Sequence, residues 1–168
     1  MKSLFILQLV CCVITAMLAL QLAMASLQVR WKVWRYEISR WILVASMLFF
    51  SVHYLLQMIH GLRAQGTDVG AAFNILFYTP VAFAITLSII NIESTGREVR
   101  RYCLRGMMAY ILIAIVFVIG MFKSQSLHIG NMLYVMLGLF VASMAYFILI
   151  IRKETKARKQ KLKIPGAT

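Results

Sequence analysis

His53, Gln57 and His60 recur at i, i+4 and i+7, so a helix through them carries two imidazoles and a carboxamide on one face. Imidazoles exchange protons near neutrality and ligate metals, whereas carboxamides give and accept hydrogen bonds without changing charge. Asn74 with Tyr78 and Asn131 with Tyr134 add further neutral polar pairs, and Arg63, Asp68 and His128 lie in the connections nearby. Such groups suit recognition of a small polar ligand. They do not suit metal chemistry. His53 and His60 stand about 10 Å apart along a helix axis, too far to share one ion, and a set of His60, His128 and Asp68 depends on loop packing. No metal site and no cofactor are expected.

The acidic residues are Glu37, Asp68, Glu93, Glu98 and Glu154. All fall outside the apolar runs, so no carboxylate is placed to drive proton or sodium transport at depth or to form an acid–base pair. No H-E-x-x-H, G-x-S-x-G, Walker loop or C-x-x-C occurs. The chain is not expected to be an enzyme.

The elements that hold these residues are apolar runs over 4–27, 41–60, 71–92, 107–122 and 130–151, none with an Asp, Glu, Lys or Arg. About 17–25 apolar residues cross the hydrocarbon core as a helix. The shortest run, 107–122, is flanked by Arg105 and Lys123, which can snorkel to the interfaces. The expected fold is all-α: an integral membrane bundle of five transmembrane helices, with 1–151 as one domain and 152–168 as a basic tail. A short amphipathic interfacial helix is expected before the second span. There Trp31, Trp34, Ile38 and Trp41 follow at spacings of three, four and three, which makes one aromatic stripe at headgroup depth.

The net charge of +13 follows topology. Connections 28–40 and 93–106 and the tail are rich in Arg and Lys, whereas 61–70 carries only Arg63 and 123–129 only Lys123. This rich–poor alternation places the N-terminus outside and the basic segments, with the C-terminus, in the cytoplasm. It argues against direct nucleic-acid binding. Trp31, Trp34, Trp41, Arg97, Arg100, Arg101, Lys156, Arg158 and Lys159 are the expected lipid-interface residues, with anionic lipids of the cytoplasmic face as partners. Met1-Lys2 and Ala23-Met24-Ala25 also fit a cleavable signal peptide, but cleavage would leave the basic 28–40 segment outside, so a retained first helix is expected. Cys11, Cys12 and Cys103 make no disulfide framework.

Smaller signals refine the elements. Thr95 and Glu98 fit a capping box that opens a short basic helix through Arg105. Pro80 predicts a kink in the third span. Gly138, Ala142 and Ala145 form a small-residue stripe, expected to pack within the bundle or serve a second copy of the chain.

Three stretches carry a resemblance. They are Arg35-Tyr36-Glu37 with Ser39-Arg40-Trp41; His53-Tyr54-Leu55-Leu56-Gln57-Met58 followed by residues 63–80 (RAQGTDVGAAFNILFYTP); and residues 126–134 (SLHIGNMLY). Together they resemble the N-terminal membrane region of bacterial membrane-bound regulators with an AraC-type helix-turn-helix domain. The resemblance covers nearly the whole sequence, but that DNA-binding domain is absent from it. What it implies is a sensory or anchoring module of the bacterial inner membrane.

The resulting expectation is a multi-pass sensor or anchor module with an outward polar pocket formed by His53, Gln57, His60, Asp68, Asn74, Tyr78, His128 and Asn131. Its partners would be the lipid bilayer and either a second copy or a regulatory protein. The alternatives are a small oligomeric channel or transporter subunit and a membrane-disrupting effector. Both call for a continuous polar path. The inner halves of the spans are almost wholly apolar, with Thr86, Ser88, Asn91 and Ser143 among the few polar residues, which disfavours one.

Overall fold

The computed structural model describes residues 2–25, 33–62, 65–93 and 96–162, with the last five and a few others at helix ends described through their backbone alone. The protein is an all-α bundle of α1 (Lys2–Met24), α2 (Val33–His60), α3 (Thr67–Glu93), α4 (Gly96–Ser124) and α5 (Met132–Leu162). Each of the five is long and apolar enough to cross a membrane, as in a multi-pass membrane protein. Helices answer the absence of water in lipid, because every backbone bond closes within the segment. Bulky apolar side chains then face outward: Leu4, Phe5, Ile6 and Leu7 on α1 are all exposed, as are Ile111, Ile115 and Ile119 on α4.

α3 is the hub. It packs on α2, α4 and α5; α4 and α5 pack on each other; α1, among the described residues, packs on α2 alone. The main core lies in the α3–α4–α5 triangle, where Ala72, Ile75, Ile113, Phe117, Ile129 and Met136 are buried together. Phe73 meets Phe117 edge to face at 5.7 Å. Gly106 lets α4 approach α3 closely: a Cβ there would stand 2.1 Å from the Phe83 ring.

The α2–α3 and α4–α5 connections lie at one end, called here the loop end. Gly61 has φ +56° just past α2, a left-handed turn that glycine adopts without steric cost. The opposite, basic end carries the Arg-rich start of α4 and the Lys-rich end of α5.

The helices overrun the apolar runs. α4 begins at Gly96, so the basic stretch expected as a short separate helix is its first turns. α5 continues unbroken through the basic residues to Leu162. α2 starts at Val33, so Trp34, Ile38 and Trp41 belong to the spanning helix itself. A separate interfacial helix is not seen among the described residues; Trp31, Arg63 and Thr95 lie outside them, as do the side chains of Arg158 and Lys159. α3 runs through Pro80 as one helix. The small-residue stripe of α5 faces away from the bundle: Gly138, Ala142 and Ala145 are exposed, and nothing lies within 4 Å of a Cβ on Gly138.

Candidate functional site

The polar residues singled out in the sequence separate into two groups. The first is a buried network about two helical turns below the loop end. Gln57 and His53 lie one turn apart on α2 and are each 1% exposed. The Gln57 amide nitrogen donates to Asn74 Oδ1 of α3 at 2.8 Å and lies 3.1 Å from His53 Nε2. His53 Nε2 is itself 3.2 Å from Asn74 Oδ1. Two proton arrangements satisfy this triangle. In one, the two N–H groups of Gln57 go to Asn74 and to the His53 lone pair. In the other, His53 Nε2–H donates to Asn74 directly.

Gln8 of α1 completes the network, donating from Nε2 to Gln57 Oε1 at 3.0 Å while itself only 4% exposed. Aromatic rings close it off: Phe77 stacks on the His53 ring at 4.5 Å, and Tyr78 meets that ring edge-on at 5.6 Å. The Tyr78 hydroxyl lies 3.4 Å from that of Tyr54. One turn deeper, Cys12 Sγ lies 3.3 Å from Ser51 Oγ, which donates to the Cys12 carbonyl at 3.2 Å. These are the polar ties of α1 to α2, and each spares a polar group from facing hydrocarbon alone.

The second group sits on the surface of the loop end. His128 Nδ1 and Asp68 Oδ2 are 2.8 Å apart and tie the α4–α5 connection to the start of α3. His128 and Asn131 also line a recess of about 250 Å³ with Lys123 and Ser124. His60 stands exposed at the end of α2, where its backbone carbonyl accepts a hydrogen bond from Gln65 at 3.3 Å. So the structure brings His53, Gln57, Asn74 and Tyr78 together, pairs Asp68 with His128, sets Asn131 beside His128 in the recess, and leaves His60 outside both groups. Among the described residues no cluster of three His, Cys, Asp or Glu is placed to hold a metal ion.

The sequence reading missed Gln8. Its signal was a lone carboxamide, six residues into the first helix, at the depth that Gln57 reaches from the other direction.

Deeper hydroxyls are satisfied locally. Thr15, Ser46, Thr79, Thr86 and Ser143 each donate to a carbonyl one turn back on their own helix, at 2.7–2.8 Å. Toward the basic end, Asn91 of α3 donates to the Arg35 carbonyl at 2.9 Å and to Ser39 Oγ at 3.0 Å, and Ser39 donates to the Ser88 carbonyl at 2.9 Å. Arg40 is held by Glu37 at 2.5 Å and by the Ala25 carbonyl. Tyr102 donates to Glu154, and Arg105 to Tyr146, which link α4 to α5 there. Trp34 and Trp41 are 77% and 54% exposed, and Arg97, Arg100, Arg101 and Lys156 are exposed too. Comparison with protein-family models, with curated proteins and with solved structures finds no match to the chain.

Proposed function

We propose that the protein is a multi-pass sensor or anchor module of the bacterial inner membrane, with its N-terminus outside and its basic surfaces and C-terminus in the cytoplasm. One observation carries this reading. The polar side chains described within the bundle bond to each other, to a neighbouring helix or to their own helix, which supports a role in holding helices together. The Gln8–Gln57–Asn74 chain spans α1, α2 and α3, and the Asp68–His128 pair joins α3 to the α4–α5 connection. A change at the outer surface therefore has polar contacts to α1, α2 and α3 and to the α4–α5 connection through which to act. The basic ends of α4 and α5 then face lipid headgroups or a regulatory protein, as the resemblance to AraC-type membrane regulators implies. This reading assigns the chain no reaction of its own.

The test combines flux with topology. Full-length protein in liposomes should carry no potassium or proton flux above empty vesicles. In cells, Ser126→Cys should react with a membrane-impermeant maleimide, and Arg100→Cys only after permeabilisation. Protein-dependent flux would replace this reading with a channel, and labelling of Arg100→Cys in intact cells would invert the orientation.

A further inference from the structure

A groove between α2 and α3 leads to the arginines of the basic end. Ile42, Ala45 and Phe49 of α2 and Pro80, Val81 and Ala84 of α3 line an open recess of about 300 Å³. Ala45, Ser46 and Ala84 contribute small side chains, which leaves the surface hollow between Ile42, Phe49 and Val81. Followed toward the basic end, each stripe continues by seven residues, from Ile42 back to Arg35 and from Ala84 on to Asn91. Seven residues are two turns, or about 10 Å. There Asn91 donates to the Arg35 carbonyl at 2.9 Å and closes the groove.

Charge gathers at this closed end. The Arg35 guanidinium lies 4.0 Å from where a Cβ on Gly96 would stand, at the first residue of α4. Arg97, Arg100 and Arg101, all exposed, follow on one face of α4 at i, i+3 and i+4. Glu98 is exposed in the same turns, and Glu37 on α2 is engaged by Arg40. With Glu93 and Glu98 set against Arg35, Arg97, Arg100 and Arg101, the formal charge of this stretch is +2.

We propose that this groove and its arginines bind one anionic phospholipid from the leaflet at the basic end. An acyl chain lies in the recess beside Ala45 and Ala84. The phosphate sits at headgroup depth beside Arg35 and Arg100, which lies one turn on from Gly96, about two helical turns from the recess, with the glycerol backbone and the first acyl carbons between. The guanidinium fork suits phosphate oxygens, and α4 points the positive end of its dipole in the same direction. The exposed Trp41 and the Arg40 guanidinium 5.6 Å over its ring mark interfacial depth on α2. The site rests on the membrane placement of the helices and is independent of any sensory role.

Native mass spectrometry of the full chain in detergent tests it. Phosphatidylglycerol should remain bound, while phosphatidylcholine with the same acyl chains binds at least roughly tenfold more weakly, given about 1 kcal/mol for each of two or more basic contacts. Inorganic phosphate should not displace the bound lipid. Ala45→Phe, which faces outward and leaves the core intact, should lower phosphatidylglycerol retention, and combined Arg97→Gln, Arg100→Gln and Arg101→Gln should lower it about a hundredfold. Ala84→Leu is a second groove-filling variant, and Ala142→Phe, on the exposed face of α5, should change nothing. Circular dichroism checks that each variant is folded. Equal retention by wild type and both groove variants would reduce the site to diffuse charge attraction and overturn it. Equal binding of the zwitterionic lipid, or displacement by free phosphate, would overturn it as well.

Discussion

Replacing Gln57 with leucine should loosen α1 more than any single apolar substitution on that helix. Gln57 accepts from Gln8, donates to Asn74 and approaches His53 at 3.1 Å, so Gln57→Leu deletes the junction of the network and strands the Gln8 amide. Interhelical hydrogen bonds within membranes are worth about 0.6 kcal/mol on average and up to about 1.7. Loss of two to three such contacts gives about 2–3 kcal/mol for Gln57→Leu. Gln8→Leu removes one contact and should cost about 1 kcal/mol. In the double variant the second substitution has nothing left to remove, so the coupling between the two sites should be about 1 kcal/mol, or roughly fivefold in an unfolding constant. The assay is reversible unfolding in mixed micelles, followed by circular dichroism, on wild type, both single variants and the double. Strictly additive costs would refute the idea that this bond fastens α1.

Two further outcomes follow from the packing. Gly106→Ala should destabilise the bundle by about 1–3 kcal/mol through overpacking against Phe83, and Phe83→Leu in the same background should recover part of it; an unchanged unfolding midpoint would show that the helices separate freely there. Asp68→Asn should leave the thermal midpoint unchanged at physiological salt, because Asp68 and His128 are 33% and 55% exposed and the pair is screened by solvent. A large downward shift would mean that this pair is a structural clamp of the loop end.

The five helices were legible because lipid imposes one strong constraint, a minimum apolar length, that any reader of the sequence can count. Their ends were less so. Arg97, Arg100 and Arg101 precede the apolar run yet belong to α4, since long basic side chains reach the interface from a helix that continues. The stripe of His53 and Gln57 was also legible, because a spacing of four fixes a shared helical face whatever the partner. Its destination was not: periodicity says which residues stand together and not which helix meets them, so Gln8 went unnoticed and His60 and Asn131 were grouped with a network they do not join. Gly138, Ala142 and Ala145 show the same limit, since small-residue spacing marks a surface suited to close approach without fixing whether it turns toward the bundle.

The attachment of α1 bears on how the chain is made. Gln8 leaves the ribosome 49 residues ahead of the amide that will receive it. At ordinary elongation rates that is a delay of about 2–10 s. During that interval the first segment sits in hydrocarbon with an unmet carboxamide, a state that membrane chaperones and quality-control proteases can recognise. Completion of the first hairpin gives the Gln8 amide its partner before the α3–α4–α5 core can close.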